Sequence, residues 1–165
     1  MRDIMTVHNI EPVYDKQSRI LILGSFPSVK SREAQFFYAH RQNRFWKVLA
    51  AVFACDVPQT VGEKKRLLLE NHIALWDVIA SCEITGSSDT SIKNVVPNDL
   101  SVITDTAKIE AVFCNGTKAF DLYNRFIYPN TGKPAVKLPS TSPANAAKSL
   151  DELTKIWKEA LRTVG

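Results

Sequence analysis

Cysteine is scarce in this chain of 165 residues: there are three, Cys55, Cys82 and Cys114, far apart and never as C-x-x-C. That pattern argues against a disulfide framework and against a four-cysteine zinc or iron–sulfur site. Buried free thiols in a reducing compartment are the expectation. Histidine is equally sparse, and His8, His40 and His72 show no metal-ligand spacing. No apolar run approaches the roughly 18 residues of a membrane span, and Met1 to Val7 lacks a signal-peptide core. A cytoplasmic protein without a membrane partner is expected. Familiar catalytic signatures are missing too. Gly24-Ser25-Phe26-Pro27-Ser28 lacks the second glycine and the Lys-Ser/Thr pair of a P-loop, and it is not G-x-S-x-G. No cysteine–histidine pair is evident. Carboxylates at strand ends are few, with Asp77 the best placed.

What is present describes one domain over residues 1–165 with a substantial core. Hydrophobic residues make up 45% of the chain, and 21 Lys plus Arg stand against 17 Asp plus Glu, a net charge of +4. The excess permits a polyanionic partner without demanding one. Residues 8 to 18 read as an irregular lead-in. Four short apolar runs read as strands: Arg19 to Leu23, Ile73 to Ile79, Ile109 to Cys114 and Ala135 to Leu138. In the first of these the apolar residues are consecutive, as in a strand covered on both faces. Helices are expected between and after them. Ser31 caps one through Phe37, Asn43 starts a second, and Thr60 with Glu63 forms the capping box of a third. Residues 97–106 are predicted as a helix with Pro97 near its start. Thr117 to Phe126 reads as another, and Leu150, Leu153, Ile156, Trp157, Ala160, Leu161 and Val164 form the stripe of the last. Ser81 to Asn98 is polar and aperiodic and reads as a surface loop. Alternating strands and helices imply βαβ units and a parallel sheet, which binds ligands beyond the carboxyl ends of its strands. The unusual chemistry of the chain falls there: Gly24 to Ser28, the segment after Asp77, Asn115-Gly116-Thr117, and Pro139 to Asn145.

Core packing does not account for Tyr38-Ala39-His40-Arg41-Gln42-Asn43-Arg44, which separates Phe36-Phe37 from Phe45-Trp46. A site on these segments works with amides, hydroxyls, backbone groups and aromatic faces. Aromatic rings stack on bases, and amides both donate to and accept from base edges. The same inventory suits breakage of a base–sugar bond. There the sugar becomes cationic and the base anionic, so catalysis needs donors aimed at the base and an acceptor that holds or polarises water.

The three segments G-S-F-P-S, F-Y-A-H-R-Q-N-R-F-W and P-S-T-S-P-A-N resemble the uracil-DNA glycosylase superfamily, and most of all its hypoxanthine-DNA (deoxyinosine) glycosylase branch. The resemblance runs over residues 19–163. It implies a three-layer α/β/α sandwich around a four-stranded parallel sheet, with no metal and no cofactor. The implied partner is DNA carrying a damaged or deaminated base, hypoxanthine or uracil, and the protein is expected to be a monomer. The implied reaction is base flipping followed by hydrolysis of the N-glycosidic bond, leaving an abasic site. No lysine is placed for Schiff-base chemistry. By the same resemblance Asn43 is the catalytic amide. Gly24, Ser25, Phe26, Tyr38, His40 and Asn115 bind the base, with Phe37 the alternative to Tyr38 as the stacking ring. Ser28, Arg41, Ser140, Ser142, Pro143 and Asn145 contact the DNA. Three positions depart from the family pattern. Phe26 replaces an Asn or Asp that handles water in many relatives, Ser140 replaces a His that steadies the leaving base, and Arg41 stands where Pro is usual.

Plain structural roles compete with these. Asn43 fits a helix N-cap, Ser140 and Ser142 fit loop shaping, Asn115-Gly116 is a turn signal, and Asp77 suits a turn cap as well as a ligand. Phe26 and Ser140 also motivate an alternative function, a base-flipping lesion-binding module with little catalysis. Action on free nucleosides is a third reading.

Overall fold

The structure, a computed structural model, describes residues 5–8 and 10–162, with only the backbone of Asp89. Four parallel strands form the central sheet: β2 (Ile20–Gly24), β3 (Ile73–Asp77), β6 (Ala111–Asn115) and β7 (Ala135–Leu138), in the order β3-β2-β6-β7. Helices cover it as the outer layers of an α/β/α sandwich. They are α1 (Val29–Ala34), α2 (Phe45–Val52), α3 (Val61–Glu70), α4 (Ser101–Thr104), α5 (Thr117–Phe126), α6 (Tyr128–Thr131) and α7 (Leu150–Arg162). Leu21, Ile22 and Leu23 of β2 and Ile73, Ala74 and Leu75 of β3 are fully buried. That is the expected consequence of consecutive apolar residues in a sheet covered twice. Helix α2 packs on α7, α3 on β3, and α5 on β6 and β7. Trp157 of α7 is buried, lies edge-on to Phe45, and donates its indole N–H to the Pro139 carbonyl. The last helix thus anchors the start of the Pro139–Asn145 loop. Val164, expected on its apolar stripe, lies outside the described residues.

Several boundaries differ from expectation, each for a local reason. The β3 run stops at Asp77 because the chain turns at Val78. The Val78 N–H donates to the Gly24 carbonyl and the Ile79 N–H to that of Ser25. The polar stretch expected as a loop holds two strands, β4 (Ile79–Glu83) and β5 (Lys93–Pro97). With β1 (Met5–Val7) they make a second, antiparallel sheet in the order β1-β4-β5. Pro97 ends β5 instead of starting a helix, and α4 is a single turn whose entry is held by Asp99 Oδ1 accepting the Ser101 N–H. The lead-in is tied down too, since Val13 and Leu75 exchange two backbone hydrogen bonds. Ser28, not Ser31, caps α1, which stops at Gln35 in the left-handed region. The Thr60–Glu63 capping box is present. Cys82 and Cys114 are buried, whereas Cys55 is exposed.

Candidate active site

One cavity of about 290 Å³ opens at the carboxyl ends of the parallel strands. That is near the lower end of the roughly 300–1,000 Å³ typical of small-ligand sites. Four stretches meet around it: Gly24 to Ser28 after β2, Phe37 to Asn43 before α2, Asp77 and Asn115 at the ends of β3 and β6, and Ser140 to Pro143 after β7. Of the residues singled out from the sequence, Gly24, Ser25, Phe26, Ser28, Tyr38, His40, Asn43, Asn115, Ser140, Ser142 and Pro143 line it. Arg41 and Asn145 do not. Arg41 is exposed on the same loop as His40. Asn145 is spent within its own loop, donating from Nδ2 to the Ser140 carbonyl.

Two glycines permit this convergence. A Cβ on Gly24 would lie 2.5 Å from Asp77 Oδ1 and 2.9 Å from the Tyr38 hydroxyl. Only a hydrogen fits where β2 ends between those groups. Gly116 has φ +96°, and a Cβ there would come within 3.1 Å of Ser140 Cβ. Its backbone lets the Ser140 loop lie close to the end of β6.

Asn43 is the best connected residue of the site. Its Oδ1 accepts the Phe45 N–H at 2.9 Å and also the Thr141 hydroxyl at 2.8 Å. Asn43 is not the N-cap expected from the sequence, because α2 starts at Phe45 and Arg44 holds that position, so the Asn43 amide spans the turn just before the helix. Thr141 is fully buried. Its Oγ1 accepts from Asn115 Nδ2 at 3.0 Å, and Asn115 Oδ1 in turn accepts the Thr141 N–H at 3.0 Å. The result is a relay, Asn115 to Thr141 to Asn43, that joins three loops. Both acceptor positions of the Asn43 oxygen are therefore occupied within the protein, which leaves Nδ2 as the part of the amide available to a ligand. This differs from the acceptor anticipated from the sequence.

Thr141 and Arg44 escaped the sequence reading. Arg44 donates from Nη2 to the carbonyls of Ser142 and Asn145 and from Nη1 to that of Lys148, and its own N–H donates to the Thr141 carbonyl. It staples the Ser140–Lys148 loop to the start of α2. Both residues sit inside segments that were already singled out, but nothing in their spacing told a network residue from a surface one. Ser87 also borders the cavity, from the β4–β5 connection; its hydroxyl accepts the Val29 N–H, and Arg32 donates to the Gly86 carbonyl.

The aromatic block divides its work. Phe36 stacks on Trp46 away from the cavity, whereas Phe37 and Tyr38 both line it. Phe37 is almost wholly buried. Tyr38 is half-buried, has φ 53°, and stacks one face on Phe45 with centroids 4.1 Å apart. Its strained backbone turns the ring out of the Phe36-Phe37 run toward the end of β2. His40 accepts the Gln42 N–H at Nδ1, so Nε2 carries its proton when the ring is neutral.

Asp77 is 3% exposed, and its Oδ2 has no hydrogen-bond partner among the described residues. His8 Nε2 lies 3.8 Å away, but this is not an ion pair. The His8 ring donates from Nε2 to the Ile79 carbonyl and accepts the Ile10 N–H at Nδ1, which fixes the neutral tautomer. Burial pushes the His8 pKa below its usual value, in agreement. With no cation among the described residues to offset its desolvation, the Asp77 carboxyl is pushed up to about 7.

A small cavity lined by polar and aromatic side chains, amide donors, and loops at the ends of a parallel sheet suit an enzyme that encloses one flat heterocycle. Residues 11–161 match the family model of the uracil DNA glycosylase superfamily. The chain is 34% identical to a hypoxanthine DNA glycosylase of Methanosarcina barkeri, covering 96% of this chain and 99% of that protein. It is 32% identical to a hypoxanthine DNA glycosylase of Methanosarcina acetivorans over 91% of this chain and 94% of the relative. A solution NMR structure of an M. acetivorans protein, described as a candidate uracil DNA glycosylase, superposes with a TM-score of 0.81 at 29% identity, covering 98% of this chain and 99% of that one. The chain belongs to the uracil DNA glycosylase superfamily. It is accordingly a DNA glycosylase, a hydrolase of N-glycosyl bonds whose substrate is DNA.

Proposed function

We propose that the chain is a monofunctional glycosylase that, as a monomer, removes hypoxanthine from DNA, with uracil as a second substrate. The relatives' substrate supports this reading. So does the one observation that carries it: Asn43, held by Phe45 and Thr141, stands in the same cavity as a stacking ring and the ends of three parallel strands. The flipped base enters between the Gly24–Ser28 turn and Tyr38, and Asn115 and Ser140 border it. Extrusion costs a few kcal/mol, less for a mispaired deaminated base than for a normal pair, which contributes selectivity. As the base departs the sugar gains positive charge, so the attacking water needs positioning more than deprotonation. Asn43 Nδ2 holds that water. Its oxygen cannot swing away without breaking both of its hydrogen bonds. Arg41, Ser142 and Pro143 face the DNA backbone, and Arg44 keeps their loop in place.

The test is single-turnover excision from labelled duplex and single-stranded oligonucleotides carrying hypoxanthine, uracil, xanthine or a G·T mismatch, with hot alkali to break abasic sites. Release of hypoxanthine supports the reading. Lesion-selective, salt-dependent binding with no abasic product would instead make the protein a base-flipping sensor.

A further inference from the structure

A departing purine gathers negative charge, and the hydroxyls and amides of this cavity are weak donors for it. His40 and Asp77 are the exceptions, and of the two only Asp77 is buried. It sits at the end of β3 on the cavity wall, almost wholly buried, with Oδ2 unpartnered among the described residues. Its backbone is fixed by Asn98, whose Nδ2 donates to the Asp77 carbonyl, and by the adjoining Val78 N–H to Gly24. Gly24 clears the space beside its Oδ1. Resting on the glycosylase reading, we propose that Asp77 is a catalytic residue: the general acid that delivers a proton to N7, the most basic ring nitrogen, of the purine as it leaves.

The groups around Asp77 favour its protonated form. His8, from the segment after β1, is neutral and 3.8 Å away. The Arg32 guanidinium, from α1, lies over Phe26 and donates to the Gly86 carbonyl, so it is engaged elsewhere. Tyr38, from the aromatic block, brings its phenol close to Gly24 too, where a Cβ would lie 2.9 Å from the hydroxyl. His40 is the remaining titratable group of the cavity. No Lys or Arg forms an ion pair with Asp77 among the described residues, and burial raises its pKa to about 7. A carboxylic acid held neutral in this way is a hydrogen-bond donor and a proton source near neutral pH. The step balances. The Asp77 O–H proton moves to N7, the C1′–N9 bond breaks with its electron pair going to the base, and neutral hypoxanthine leaves an oxocarbenium-like sugar. Water adds to C1′, and the proton it releases restores the acid. Water is the only co-reactant.

The experiment is a single-turnover pH profile from about pH 5 to about pH 8.5, on duplex DNA carrying hypoxanthine, for wild type, Asp77→Asn and His40→Gln. Wild-type excision is expected to fall about tenfold per unit above about pH 7. Asp77→Asn should be slower by about 10²–10⁴ at low pH and should lack that limb. His40→Gln should keep the limb whatever its amplitude. Wild-type rates that rise through pH 7, or an Asp77→Asn profile that matches wild type, would overturn the proposal while leaving the glycosylase intact. Wild type that excises nothing at any pH overturns both. Should Asp77→Asn fail to fold, wild type on 7-deaza-deoxyinosine decides. That base cannot take a proton at N7, so excision as fast as that of hypoxanthine refutes the assignment, and loss of both rate and limb supports it.

Discussion

Replacing Asp77 with asparagine should make the protein more stable at alkaline pH, and the gain should fade in acid. The carboxyl's pKa rises from 3.8 to about 7 on burial. Between those values the folded state holds a proton that the unfolded chain has released. Wild-type stability therefore falls as pH rises through that window, and it levels off above about pH 7. The shift corresponds to about 4 kcal/mol at the plateau. Asparagine is nearly the same shape and does not titrate. The stability of Asp77→Asn minus that of wild type should thus grow by about 2–3 kcal/mol between about pH 5 and about pH 8.5. Any change in hydrogen bonding adds a constant at every pH and leaves the slope untouched. Urea unfolding followed by far-UV circular dichroism, at several pH values for both proteins, measures the difference directly. A difference that stays flat across the range, or shrinks as pH rises, would show that Asp77 is ionised in the folded protein at neutral pH.

Other outcomes follow from the same geometry. Thr141→Val keeps the shape of a fully buried side chain but removes the hydroxyl that links Asn115 to Asn43. It should cost about 1–3 kcal/mol of stability and slow single-turnover excision. A variant that excises faster than wild type would mean that water is bound by the freed Asn43 oxygen, not by Nδ2. Gly24→Ala places a methyl 2.5 Å from Asp77 Oδ1. It should narrow the cavity and reduce base release by at least about tenfold, the rate equivalent of about 1.4 kcal/mol, and wild-type rates in single turnover would refute the close approach.

The parallel sheet was legible because its central strand β2 and its neighbour β3 are buried on both faces and carry apolar runs, as in Leu21-Ile22-Leu23, whereas β7 is partly exposed and interrupted by Lys137. Thr117–Phe126 and the Thr60–Glu63 box were legible from short-range chemistry alone. The second sheet was not. Strand β5 is exposed along much of its length, β4 alternates too little between buried and half-buried positions to stand out, and their pairing is irregular between Ile79, Ser81 and Glu83. Such strands gain their order from backbone pairing and leave little hydrophobic pattern. Pro97 misled for a related reason: a proline suits the end of an edge strand as well as the start of a helix. Within the site, unusual residue types marked the loops that converge, and the cavity gathers most of them. The relay through Thr141 was hidden because a hydrogen bond between positions 98 residues apart leaves no local trace. Asp77 was visible as a lone carboxylate at a strand end. Only its burial and its unpartnered oxygen separate it from a turn cap.

The most direct measurement of the central claim is single-turnover release of hypoxanthine from duplex DNA by wild type and by Asn43→Ala, with affinity for the same DNA measured in parallel. The account predicts release by wild type, loss of release in Asn43→Ala by at least about 10²-fold, and retention of most DNA affinity. A folded Asn43→Ala protein that releases hypoxanthine at close to the wild-type rate would contradict it.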